Sequence, residues 1–171
     1  RIVIVGGEQC TAPVVEKWQP GRRFFNMYGP TETTVSATYA ELFAGHPVSI
    51  GHGLPGYTVS IRDERMNLVN KSEEGELCIG GKGVTLGYLN APVKTSSKFV
   101  FVDGARIYKT GDLVREDDNG SVVFIGRADS QVKIRGYRVE LEDIETHINA
   151  IEGCKSVVVA VQKNPVSNAQ E

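Results

Sequence analysis

Cysteine is scarce in this chain. There are three in 171 residues, Cys10, Cys78 and Cys154, an odd number and far apart. No pair has zinc-ligand spacing and no disulfide framework is expected, so they read as thiols of a reducing compartment. Positive charge is not in excess either. Lys+Arg is 19 against an Asp+Glu count of 21, a net charge of -2, which disfavours a basic nucleic-acid-binding surface. No apolar run approaches the roughly 20 residues that cross a bilayer. Neither a nucleic-acid nor a membrane partner is expected. There is no initiator Met and no charged-then-apolar leader, so no signal peptide is visible and a cytoplasmic location is expected. Repeats and low-complexity stretches are also lacking. Glycine, by contrast, is plentiful: 19 of 171 residues, about 11% against a typical ~7%. Either the chain is rich in turns, or its backbone must approach a ligand closely at several points. Hydrophobic residues at 40% and charged residues at 23% suffice for a packed core.

The hydrophobic pattern changes twice along the chain. Ile2-Val3-Ile4-Val5 is a continuous β-branched run, expected as a strand buried on both faces of a parallel sheet. A buried strand rarely opens a domain, and a polar segment from Asn164 to Glu171 closes the chain; a piece of a longer protein is the expectation. Residues 12–19 read as a short helix beginning near Pro13, and Arg23 to Met27 as a second strand, giving a βαβ unit. From about residue 48, short alternating runs follow at Tyr57–Arg62, Gly75–Ile79, Ile107–Tyr108, Leu113–Arg115 and Ser121–Ile125. Asp118-Asn119-Gly120 is a hairpin signal between the last two. This stretch is expected as antiparallel, barrel-like sheet. After Gly126-Arg127, Gln131–Ile134 and Tyr137–Glu140 flank Gly136 as a hairpin. Leu141, Ile144, Ile148 and Ile151 then recur at helical spacing, with Glu142, Asp143 and Glu145 in the first turns where carboxylates suit the helix dipole. A last strand is expected at Val157–Val161, packed beside that helix. The expected class is mixed α/β, in three parts: the end of an α/β layer at 1–47, a β-rich part at 48–128, and a small α+β part at 129–171 after a hinge.

Four segments concentrate polar chemistry. In Asn26-Met27-Tyr28-Gly29-Pro30-Thr31-Glu32-Thr33-Thr34 a strand enters a Gly-Pro turn and then a hydroxyl-rich helix start. Backbone N–H groups and Thr hydroxyls there suit a phosphate, Tyr28 offers a flat face for a base, and Glu32 offers a hard oxygen to Mg²⁺. By itself the segment is equally a strand-to-helix turn capped by Thr31. In Gly75-Glu76-Leu77-Cys78-Ile79-Gly80-Gly81-Lys82-Gly83-Val84-Thr85-Leu86-Gly87-Tyr88-Leu89 the glycines suggest a phosphate loop. The pattern G-x-x-x-x-G-K-[ST] fails, however, because Lys82 is followed by Gly83. Glycine-permitted turns are the better reading. In Tyr108-Lys109-Thr110-Gly111-Asp112-Leu113, Asp112 sits where a carboxylate can accept both hydroxyls of a ribose, although an Asp beside a glycine is also a common turn residue. Finally, Arg127, Lys133, Arg135 and Arg138 form a basic cluster across the 126–141 segment; taken alone, a solvated hairpin face is the better reading.

Together and in this order, NMYGPTE at 26–32, GELCIGGKGVTLGYL at 75–89, YKTGDL at 108–113 and GRADSQVKIRGYRVELEDIE at 126–145 closely resemble the adenylation domains of nonribosomal peptide synthetases. These are adenylate-forming ligases related to acyl-CoA synthetases and luciferases. The resemblance covers essentially the whole chain. It implies the C-terminal part of the core and most of the small swinging subdomain. It also implies ATP and Mg²⁺, a carboxylic acid substrate, usually an amino acid, and a carrier domain delivering a phosphopantetheine thiol, with other synthetase domains in the same chain. An acyl- or aryl-CoA ligase is the alternative within the enzyme class, and a non-catalytic scaffold derived from this fold is the alternative outside it.

Residue by residue, the resemblance implies that Tyr28 stacks on adenine, with Asn26, Gly29 and the Gly6-Gly7-Glu8 turn around it. Thr31 would meet the α-phosphate, Glu32 the Mg²⁺, and Asp112 the ribose hydroxyls with Arg127 close by. Asp129 matches the hinge and Gly136 the hairpin facing the pantetheine arm. Val3, Val5, Met27, Val35 and Ser36 match the pocket for the acid's side chain, mostly apolar. Thr85-Leu86 stands where Ala-Arg is usual, and Glu142-Asp143 where Gly-Glu is. The family's upstream phosphate loop with its Lys, its upstream Asp for an ammonium group and its downstream adenylation Lys have no counterpart in these residues. The 171-residue chain alone is therefore expected to be inactive.

Overall fold

In a computed structural model the described residues are 1–134 and 137–162. The chain divides into two compact units, Arg1–Ala128 and Asp129–Glu171.

The first unit opens with β1 (Ile2–Gly6), α1 (Ala12–Trp18) and β2 (Arg23–Tyr28). Pro13 lies in the first turn of α1, where its missing N–H costs nothing. The helix sets Val15, 2% exposed, onto the sheet. β1 and β2 pair in parallel, as expected of a βαβ unit. The expectation of a strand buried on both faces does not hold for β1: Ile2 and Ile4 are 62% and 65% exposed, while Val3 and Val5 pack on the cluster of Val15, Phe24, Ala40 and Leu42.

The helix expected to begin at Thr31 is only a single 3-10 turn, Thr31–Thr33. Thr34 and Val35 follow at φ 59° and 70°, a left-handed pair unusual for β-branched residues. They reverse the chain into β3 (Thr38–Leu42), which returns antiparallel to β2, and β4 (His52–Gly53) completes the order β1-β2-β3-β4. This sheet therefore runs past residue 47, where the hydrophobic pattern changes.

The second sheet holds β5 (Tyr57–Arg62), β6 (Gly75–Gly81), β7 (Phe99–Val102), β8 (Ala105–Glu116) and β9 (Val122–Arg127), with helix α2 (Pro92–Lys98) preceding β7. All its pairings are antiparallel. Two short strands expected at 107–108 and 113–115 are one strand of 12 residues, β8. Gly111 at φ 76° interrupts its alternation beside a register shift against β6, as a bulge glycine does. The first half of β8 pairs with β7 and the second with β9. A core of Ala37, Ile50, Leu77, Ile79, Val114 and Val122, with Tyr28 and Tyr57 against it, joins the two sheets.

The second unit contains the expected hairpin, β10 (Gln131–Ile134) with β11 (Tyr137–Glu140), and the expected helix α3 (Leu141–Asn149). Ile151 falls past its end. The strand expected at Val157–Val161 does not form. Its only described tie is the Val159 N–H donating to Glu145 Oε1 of α3 at 2.8 Å, which lays it beside the helix without a strand partner. Among the described residues no helix is long and apolar enough to cross a membrane.

Candidate functional site

The parallel pair β1–β2 fixes the site's base. Its register sets Gly6 beside Met27, so the Gly6-Gly7-Glu8 turn leaves the sheet at the same end as Tyr28-Gly29-Pro30. Carboxyl ends of parallel strands are where open α/β sheets bind ligands. Gly7 has φ 87°, and a Cβ on Gly29 would lie 2.7 Å from Ala37 N; neither position accepts a side chain without strain. Gly6, Gly7, Glu8 and Thr31 are exposed.

Three side chains converge beside this edge. The Tyr28 hydroxyl donates to Asp112 Oδ2, and Arg127 Nη1 donates to Asp112 Oδ1 at 2.6 Å. The β8–β9 register makes Asp112 and Arg127 direct cross-strand partners, which accounts for the pair. Asp112 is 7% exposed. Burial, and then the Asp112 charge, push the Tyr28 phenol well above its ordinary pKa, so it stays a neutral donor. Each Asp112 oxygen already accepts one bond, and a carboxylate has about four acceptor sites. One lone pair on each oxygen is left for a ligand's hydroxyls. The backbone beneath is fixed by Asp112 N–H to Thr110 Oγ1 at 3.0 Å, Thr110 Oγ1 to the Leu77 carbonyl at 2.8 Å, and Gly111 N–H to Glu76 Oε1 at 2.8 Å.

The turn carrying Thr31 and Glu32 is braced by the glycine-rich segment. Thr85 N–H donates to the Glu32 carbonyl at 2.9 Å. Thr34 Oγ1 donates to the Gly83 carbonyl at 2.7 Å, and the Tyr57 hydroxyl to the Thr33 carbonyl at 2.7 Å. The Tyr88 hydroxyl donates to Glu32 Oε1 at 2.6 Å. Burial, followed by the bond to Glu32, drives the Tyr88 pKa far upward. A Cβ on Gly83 would fall 1.8 Å from the Tyr57 hydroxyl, and one on Gly81, at φ 119°, would fall 2.2 Å from the Gly56 carbonyl. The densest glycines thus serve packing and turns. Glu32 is 6% exposed. Among the described residues no three His, Cys, Asp or Glu side chains form a metal-binding group, so a metal here would rest on one carboxylate.

The structure brings together Tyr28, Asp112 and Arg127, with the glycine turns at the same sheet end. Asn26 is drawn inward: it is 4% exposed and its Nδ2 donates to the Ser49 carbonyl at 2.8 Å. The residues matched to a side-chain pocket are not brought together. Val3 and Val5 pair with Phe24 and Asn26 and point into the core, whereas Met27 points to the opposite face, shared with Ile2 and Ile4. Val35, 74% exposed, and Ser36 follow in the turn packed on Gly29. Asp129 opens the second unit and its Oδ1 accepts the Gln131 N–H at 3.3 Å. Gly136 and Arg135 lie outside the described residues. Sequence reasoning misses Tyr57 and Tyr88; Tyr88 lies inside the glycine-rich segment at 75–89, and its hydroxyl is the available signal.

The profile of the family described as "AMP-binding enzyme" matches residues 1–89. The chain belongs to the AMP-binding enzyme family. Among relatives in that family, the Delta-poly-L-ornithine synthetase of Acinetobacter baumannii is 44% identical over 169 residues, covering 95% of this chain and 13% of the relative. The Vibrio cholerae adenylation domain AlmE, solved with glycyl-adenosine-5'-phosphate, is 33% identical with a TM-score of 0.86, covering 98% of this chain and 33% of that one. Holo-PA1221, a nonribosomal peptide synthetase protein with adenylation and PCP domains, is 28% identical with a TM-score of 0.87, covering 99% and 31%. Nearly the whole chain is thus similar to part of an adenylation domain, and it spans about a third or less of the proteins it matches.

Proposed function

We propose that the full-length protein activates a carboxylic acid, most simply an amino acid, as its acyl-adenylate and passes the acyl group to a phosphopantetheine thiol on a carrier domain. In the first step a carboxylate oxygen attacks the α-phosphorus of ATP and pyrophosphate leaves. In the second the thiol sulfur attacks the acyl carbon and AMP leaves. The observation that carries this reading is the buried Asp112, held by Tyr28 and Arg127 with acceptor capacity to spare, at the carboxyl end of a parallel strand pair. Asp112 takes the ribose hydroxyls, the Tyr28 ring lies along adenine, and Gly6, Gly7, Glu8 and Gly29 let the backbone close around it, with Asn26 supporting the floor. Arg127 orients the Asp112 carboxylate. Thr31, exposed at the start of its turn, meets the α-phosphate. Such catalysis is mainly positioning and charge stabilisation.

Glu32 fits Mg²⁺ in one respect: Mg²⁺ is held by one or two carboxylates and completes its shell with water and substrate phosphates. When bound there it would neutralise phosphate charge. The acid's side chain lies against the face of Met27, with Ile2 and Ile4 in place of Val3 and Val5, and Val35 and Ser36 at its rim. Asp129 acts as the hinge that lets the small unit serve both half-reactions, and Gly136, outside the described residues, takes the role toward the thiol that the family resemblance implies. Acid-dependent exchange of pyrophosphate into ATP by the full-length protein, across amino, hydroxy, keto and aryl acids, tests the reading. Exchange with at least one acid is expected; none with any of them, from folded protein, overturns it.

A further inference from the structure

The glycine-rich segment stays unabsorbed by the nucleotide site, yet its Tyr88 hydroxyl bonds the Glu32 carboxylate. We propose that Tyr88 is a positioning residue that fixes the orientation of Glu32 for a divalent cation. The proposal rests on the reading of Glu32 as the metal-binding carboxylate.

Several observations converge on Tyr88. Its hydroxyl donates to Glu32 Oε1 at 2.6 Å across 56 residues of sequence. Glu32 is withdrawn from solvent to 6% exposure and Tyr88 is half-buried, so bulk water competes little for the carboxylate end of the bond. A phenol has one O–H to donate; donated to Oε1, it breaks the equivalence of the two carboxylate oxygens and restricts rotation about the last side-chain bond. In an unbonded glutamate that torsion is broad and nearly two-fold.

Tyr88 is itself fixed at both ends. Its backbone N–H donates to Thr95 Oγ1 at 2.9 Å. Its ring meets Phe99 edge-on at 5.6 Å and carries Lys94 Nζ 5.4 Å above it. The preceding Gly87 has φ 140°, and a Cβ there would strike Thr95 Cγ2 at 2.4 Å, so the glycine admits the backbone path that delivers Tyr88. The backbone of the same turn is held from the same segment, by Thr85 N–H on the Glu32 carbonyl at 2.9 Å and Thr34 Oγ1 on the Gly83 carbonyl at 2.7 Å. Main chain and side chain of Glu32 are thus oriented together. Partners that orient a metal-binding side chain commonly matter about 10–100-fold to affinity.

The test uses the full-length protein and Mn²⁺ as the metal, with a non-hydrolysable ATP analogue bound, followed by water-proton relaxation. Y88F keeps the ring against Phe99 and removes only the hydroxyl. It is expected to weaken Mn²⁺ binding about tenfold, to raise half-saturating Mg²⁺ for pyrophosphate exchange similarly, and to leave metal-free AMP binding unchanged. E32Q is expected to weaken Mn²⁺ further, and Y88F is expected to add nothing in that background. If E32Q weakens the metal but Y88F does not, the positioning role falls and the metal reading stands. If E32Q leaves Mn²⁺ binding unaltered, the metal reading falls and this proposal with it. Equal weakening of metal-free AMP and Mn²⁺ by Y88F also overturns it, because that marks a general structural role.

Discussion

Replacing Asp112 by Asn separates the two duties assigned to its carboxylate. The shape is kept and the charge is removed. In the folded protein Arg127 Nη1 sits 2.6 Å from Oδ1, with the two side chains 17% and 11% exposed, and the Tyr28 hydroxyl holds Oδ2. The Arg127 bond changes from an ion pair to a charged donor on a neutral amide oxygen, and the amide NH₂ now faces the Tyr28 oxygen. Moving from bonds to an ionised acceptor, worth ~1.5–3 kcal/mol, toward bonds to a neutral one, worth ~1 kcal/mol, puts the stability loss at about 0.5–2 kcal/mol. Full truncation by D112A, which takes the carboxylate from a half-buried guanidinium, should cost about 3 kcal/mol, the low end for breaking a buried pair, because Arg127 keeps some solvent. On the nucleotide, two ribose hydroxyls lose a charged acceptor. A loss of about 2 kcal/mol weakens AMP roughly 30-fold. The assay is calorimetric titration of full-length wild type and D112N with AMP and with 2',3'-dideoxy-AMP, alongside urea denaturation. AMP should lose about 30-fold while the dideoxy nucleotide, which never touched the carboxylate, changes little. Equal weakening of both nucleotides by D112N would refute the ribose contact, and so would unchanged AMP binding.

Other consequences are equally measurable. Burial pushes the Cys78 thiol up to about 12 from 9.0. The native state therefore holds its proton where the unfolded chain has lost it. Stability is fully present below pH ~9 and falls at up to about 1.4 kcal/mol per pH unit toward pH ~12; C78A should remove that share of the slope in urea titrations at alkaline pH. Gly83→Ala would set a Cβ 1.8 Å from the Tyr57 hydroxyl; about 1–3 kcal/mol of destabilisation is expected, and Y57F should relieve part of it. Val35→Gly removes a β-branched residue from φ 70° at a 74% exposed position; a gain of roughly 1 kcal/mol is expected, read as a higher denaturation midpoint. No gain would show that Val35 is not strained.

Much of the fold is legible in the residues. Ile2–Val5, Pro13 and the Arg23–Met27 run suffice for the βαβ unit, and Asp118-Asn119-Gly120 marks the β8–β9 turn. What escaped has identifiable causes. The turn after Glu32 bends on two left-handed β-branched residues, a conformation that no local pattern announces, so Thr31–Thr34 reads as a helix start instead of a turn back into β3. Gly111 breaks the alternation of β8, and one strand looked like two. Val157–Val161 has strand composition but no neighbour to pair with among the described residues, because pairing is a tertiary event.

The candidate site divides the same way. Tyr28, Asp112 and Arg127 were identifiable from their motifs, but their mutual contact needs the β8–β9 register. β1 is apolar on both faces, so only its pairing with β2 shows that Ile2 and Ile4, not Val3 and Val5, share the Met27 face. Tyr88 reaches Glu32 across 56 residues, a separation at which local pattern carries no information.

The central claim, a nucleotide site built on Asp112, is tested most directly by a crystal structure of the full-length protein with AMP. The account predicts both ribose hydroxyls at hydrogen-bond distance, roughly 2.5–3.0 Å, from the Asp112 carboxylate, with adenine against the Tyr28 ring. AMP bound elsewhere, with Asp112 facing only Arg127 and Tyr28, would contradict it.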